Sequence, residues 1–140
     1  MCIFKKSTNF TKLTIPGVNL RNLILAQGWN LPMGMLDNEY YYTDVTGWAA
    51  VLTDMTFSSF LYTPETFDCE DYALKAMVVS TEKYGLNAFG LVVGEMPQGW
   101  HGWNVFYAGD RFMMLEPNTG FNLGYFEVGT NGYIPRNILI

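Results

Sequence analysis

The sequence predicts a single α+β domain in which one central helix packs on an antiparallel β-sheet. Three observations carry this expectation. A stripe of small and apolar residues begins at Cys69 and keeps helical spacing to Tyr84, with a capping residue at each end. Apolar runs then follow at 88–93, 100–107 and 111–115, separated by turn residues, as expected of strands that fold back on one another. No repeat, low-complexity tract or linker divides the 140 residues, so residues 1–140 form one domain around one core.

Residues 1–40 read as irregular, with turn signals at Pro16-Gly17, Pro32-Met33-Gly34 and Asp37-Asn38. Tyr40-Tyr41-Tyr42 is a short strand or extended edge. Thr43-Asp44 supplies an N-cap for a helix through Trp48, Val51, Leu52 and Met55, weakened by Gly47. The next helix is the clearest element. Asp68 caps it, Asp71 adds an acid to its first turn, and Gly85 is placed to end it. Counting from Cys69, the residues Tyr72, Ala73, Ala76, Met77, Ser80 and Tyr84 share its face, which puts Cys69 on the inward stripe. Ala88–Val93 is a buried strand and Gly94–Gly99 a turn. Trp100–Tyr107 and Arg111–Leu115 are two further strands, the second stopped at Glu116-Pro117. Tyr133–Ile140 is a last β segment whose Pro135 suits a sheet edge. The Met33/Met35 and Met113/Met114 pairs are core filler.

Composition narrows the function. The net charge is −5, and eight Lys and Arg are scattered without a patch, which argues against nucleic acid as a partner. No apolar run reaches membrane-spanning length, and the first residues lack the pattern of a signal peptide. A cytoplasmic or virion-associated protein is therefore expected. With ten Phe, nine Tyr and four Trp, the rings exceed what one small core absorbs, so some should wall a groove. The two cysteines make no disulfide framework. Cys2 lies in a terminus, and Cys69 is the free thiol to consider as a nucleophile.

A helix N-terminus favours thiolate, but Asp68, Glu70 and Asp71 around Cys69 oppose it. A protonated imidazole beside the sulfur would supply the missing stabilisation, and His101 is the one histidine in the chain. A two-residue hairpin loop at Ala108-Gly109 sets His101 opposite Glu116. A four-residue loop over Ala108–Arg111 leaves them diagonal on one face, and a three-residue loop separates them to opposite faces. Asn104 is an alternative orienting residue, although alternation turns it away from His101. A metal set of Asp68, Glu70, His101 and Glu116 lacks any recognised ligand spacing, so no metal and no cofactor is expected.

Asp68-Cys69-Glu70-Asp71-Tyr72-Ala73, His101-Gly102-Trp103-Asn104 and Leu115-Glu116-Pro117, within residues 66–118, together resemble the transglutaminase-like cysteine peptidase superfamily of bacteria and their phages. The resemblance implies a papain-like/transglutaminase-like α+β fold and a thiol-dependent amide hydrolase or acyl transferase working through a thioester. In that reading Cys69 is the nucleophile, His101 the general base and acid, and Glu116 the residue that orients the imidazole. Glu116 departs from the Asp many members carry there. Beyond the Cys69 N–H, Gln27 is a guess for an oxyanion donor. Trp103 and Trp100 would bind a protein or peptide substrate. The alternative from a different class is a catalytically inactive binding or structural module, of a phage or host-interaction protein, with an occluded thiol. The oligomeric state is left open.

Overall fold

The computed structural model describes residues 9–140, and it finds regular structure where the sequence reads as irregular. Strand β1 (Leu13–Pro16) pairs antiparallel with β2 (Glu39–Tyr42), and α1 (Gly17–Ala26) runs between them. The Pro16-Gly17 turn signal is in fact a helix start, with Pro16 as N-cap. Proline loses nothing there, because the first helical N–H groups have no intrahelical partner anyway. Leu20 and Ile24, one turn apart, bury completely and fix α1 to the core.

Helix α2 (Val45–Val51) begins as expected, with Asp44 Oδ1 accepting from the Gly47 N–H at 2.7 Å. It continues as a 3-10 turn over Leu52–Met55. Helix α3 (Cys69–Tyr84) also has the expected bounds. Asp68 and Asp71 close a capping box, with the Asp68 N–H donating to Asp71 Oδ2 at 3.2 Å. Gly85 ends the helix at φ 65°, and the Gly85 and Leu86 N–H groups return to Thr81 O and Ser80 O.

The remaining strands build one antiparallel sheet in the order β6-β5-β4-β3-β7. These are β3 (Phe89–Met96), β4 (Gly99–Tyr107), β5 (Phe112–Leu115), β6 (Tyr125–Glu127) and β7 (Ile134–Leu139). β3 extends further than expected, so the 94–99 turn shrinks to two residues. β6, only three residues long, carries no sequence signal. β7 lies on the outer edge of β3, where Pro135 is harmless to the ladder. The register slips between Val93 and Gly94. A Cβ on Gly94 would stand 2.2 Å from Ile134 O and 2.9 Å from the Trp103 ring, so glycine alone fits.

Alternation divides the core into two layers. Phe89, Phe106, Met113 and Leu115 face α3 and pack with Trp48, Leu52 and Ala76. Val92, Trp103, Val105, Phe112 and Met114 face the other way, onto Leu20, Ile24, Trp29 and Tyr133. The sheet is therefore covered on both faces, rather than resting on one central helix. Asn104 is fully buried and ties the layers, its amide donating to Ala73 O and Gly90 O, each at 3.0 Å. Among the described residues, no helix is long and apolar enough to cross a membrane.

Candidate functional site

The β4–β5 hairpin pairs Asn104 with Leu115 and Tyr107 with Phe112, which is the four-residue loop over Ala108–Arg111. His101 and Glu116 thus lie diagonally beyond the last paired residues, and their side chains meet. The imidazole Nε2 is 2.7 Å from Glu116 Oε2 in a setting where both residues are buried. Glu116 is 1% exposed, and two more donors hold it. The Tyr133 hydroxyl donates to Oε2 at 2.9 Å, and the Asn118 N–H donates to Oε1 at 3.2 Å. A buried carboxylate needs such partners to stay in the fold. Burial, and then the charge of Glu116, push the Tyr133 phenol well above its ordinary range, so it stays protonated and donating. With the carboxylate accepting, the imidazole proton belongs on Nε2.

Aromatic rings pack around this imidazole. Trp103 stacks at 6.0 Å, Phe121 lies at 5.1 Å and Tyr133 meets it edge-on at 5.9 Å. Tyr133 and Phe121 were not foreseen. Neither has a local signal, since each joins the site from a loop whose position depends on the whole sheet.

Cys69 opens α3 next to Gly102, where a Cβ would come within 3.5 Å of the Cys69 carbonyl carbon. Its thiol is half-buried and donates to Glu70 Oε2 at 3.2 Å. Burial, and next that bond to Glu70, push the thiol up to about 11, against a smaller opposing pull from the Gly102 backbone. Among the described residues, no hydrogen bond joins Cys69 to His101. The two sit on neighbouring segments, with the thiol proton directed at Glu70 and the imidazole meeting Glu116 through Nε2. Two of the acids that crowd the thiol also act on one another. Glu70 raises the Asp68 carboxyl, while its own backbone N–H, and then Asp68, lower Glu70.

Asp68, Glu70 and Asp71 bring carboxylate oxygens within 4.8 Å of one another, without His101 or Glu116. The metal set considered from the sequence is therefore not assembled. Asn104 does not orient His101, because it faces α3. Trp103, expected on a groove wall, is fully buried, with its indole N–H directed at Met114 Sδ at 2.9 Å. Trp100 is 62% exposed, on the α3 side of β4. Gln27 caps the C-terminus of α1, where its backbone N–H donates to Ile24 O and the Gly28 N–H donates to Leu25 O. Cys2 lies outside the described residues.

No family model matches the chain, and no curated protein matches it. Solved structures do. A PSL1a–E64 complex superposes with a TM-score of 0.71 at 19% identity, over 91% of this chain and 51% of that one. A Polyporus squamosus lectin bound to the human-type influenza-binding epitope Neu5Aca2-6Galb1-4GlcNAc gives 0.67 at 19% identity, over 91% and 50%. The chain spans about half the length of the solved chains it matches. These findings correct the resemblance drawn from the sequence. The fold is the one that about half of each of these solved chains adopts, organised on the five-stranded sheet, in place of the papain-like/transglutaminase-like α+β assignment. The thiol-dependent hydrolase or acyl-transferase reading falls with it, as do the labels of enzyme, cysteine peptidase and thiol protease. The physical reason lies in the site, where the thiol donates to Glu70 and is pushed up to about 11, the opposite of what a thiolate nucleophile needs. At this level of identity the likeness is one of fold, and it extends over about half of each solved chain.

Proposed function

We propose that this chain is a non-catalytic binding module and that its ligand is a glycan. This is the second of the two readings left open by the sequence, without the phage or host-interaction setting. The observation that carries it is the state of the Cys69 thiol, which donates to Glu70 and is pushed up to about 11, where a nucleophile needs a lowered value. The lectin fold supports the ligand class, and because the chain spans only half of those lectin chains, the sugar is wholly a proposal. The surface beside the site has the chemistry that sugars need. Trp100 and Phe121 are exposed rings for the C–H face of a pyranose, and the exposed Glu70 carboxylate accepts from hydroxyls. Trp100 shares the α3 face with Gly102, which adjoins Glu70.

Titration calorimetry of the chain with Neu5Aca2-6Galb1-4GlcNAc and a panel of neutral glycans tests the ligand class. Saturable binding that weakens in Trp100→Ala is expected. Absence of binding across the panel, or binding of E64 instead, overturns the glycan assignment.

Iodoacetamide labelling tests the absence of catalysis separately. A thiol pushed from 9.0 to about 11 holds roughly a hundredfold less thiolate near neutral pH. Labelling of Cys69 should therefore be slow at pH 7, rise steadily towards pH 11, and be unchanged in His101→Ala. If Cys69 instead reacts faster than a model thiol at pH 7, and that rate falls in His101→Ala, the module is not catalytically silent.

A further inference from the structure

A concavity lies on the α3 side of the sheet, beside Glu116. It has a volume of about 380 Å³ and opens between the end of α2 and the loop from β5 to β6. Leu52 and Leu115, both buried, form an apolar floor, and Thr53, Thr56 and Thr119 are among the lining residues. Thr56 already donates its hydroxyl proton to Thr53 O at 3.0 Å, so its oxygen is left to accept from an occupant. Glu116 is the one ionisable carboxylate in the lining, and His101, Tyr133 and the Asn118 N–H already engage it. A charged ligand would leave water for this space without gaining a counter-charge.

From these features we infer that the cavity is a binding site for a small neutral molecule with an apolar body and a hydroxyl group. A volume of this size suits a single ring with a short substituent. Its outer wall is the loop that carries Phe121, whose ring lies 5.1 Å from His101, and Asn122, held at φ 54°. Asparagine tolerates that conformation better than other side chains, so the wall keeps its shape at small cost. An occupant therefore fixes the loop whose Phe121 ring packs on His101. The inference goes beyond the glycan reading and does not depend on it.

The test is a titration of the isotopically labelled chain with benzyl alcohol, set against benzoate and benzylamine, followed by amide chemical shifts. Shifts are expected at Ala49, Leu123 and Tyr125, and then at Phe121, with the alcohol bound at least about tenfold more tightly than either ion. Ala49→Trp, a change at an exposed position on the cavity wall, should weaken the alcohol by about tenfold or more. Val18→Trp, on the exposed face of α1, should leave it unchanged. Three results would each overturn the inference: silent amides at these positions, an ion that binds as well as the alcohol, or undiminished binding in Ala49→Trp.

Discussion

Replacing Glu116 with alanine is expected to destabilise the fold by about 3–5 kcal/mol, because three buried donors lose their shared acceptor. The side chain is 1% exposed and accepts from the His101 imidazole, the Tyr133 hydroxyl and the Asn118 N–H. Alanine leaves all three donors facing a void, in a place water reaches poorly, and unmade bonds cost more there than formed ones gain. Glu116→Gln should cost less, about 1–3 kcal/mol, because its amide oxygen still accepts while its NH₂ confronts a donor. Tyr133→Phe removes one donor and leaves the His101 bond, so it should cost only about 1 kcal/mol. Urea unfolding of the three variants, read by tryptophan fluorescence, gives these differences directly. A Glu116→Ala variant within 1 kcal/mol of the parent chain would refute the buried network.

The second large effect distinguishes two tryptophans that look alike in the sequence. Trp103→Ala should cost about 3–5 kcal/mol, as expected when a large buried ring leaves a cavity. Its ring lies 4.9 Å from Tyr133 and 6.0 Å from His101, with no solvent exposure. Trp100→Ala should change stability by no more than about 0.5 kcal/mol, because its ring is 62% exposed. Thermal unfolding of both variants checks the contrast. The near-ultraviolet dichroism should collapse only for Trp103, whose indole is fixed among other rings. Equal losses for the two would mean that Trp100 is also part of the core.

The physical difference between these tryptophans is one of strand parity. Alternation puts 101 and 103 on one face and 100 on the other, and that much was readable from the chain. Which face is buried was not. The expectation that Trp103 lines a groove assumed that the His101 face is open, whereas Tyr133 and α1 cover it. Both covering elements come from segments with weak local signals. Pro16-Gly17 looks like a turn, and Tyr133 precedes a short edge strand.

The sequence by itself determined the elements whose ends carry their own chemistry. Asp44 and Asp68 start α2 and α3 because a short side chain or an acid in the first turn satisfies free N–H groups locally. Gly85 ends α3 because a left-handed residue is needed there. The apolar runs of β3, β4 and β5, and the meeting of His101 with Glu116 for an even-numbered loop, followed from period and register alone. Only the tertiary structure decided the rest. α1 and β6 exist because the sheet gives their apolar residues a surface to cover, not because their sequences insist on it. The state of Cys69 was likewise beyond a local reading. Its position at a helix start suggested a thiolate, but the thiol meets Glu70 and a low-dielectric wall, and both hold the proton on sulfur. Helix position is written in neighbouring residues, whereas burial and the choice of bonding partner are set by segments far away in the chain.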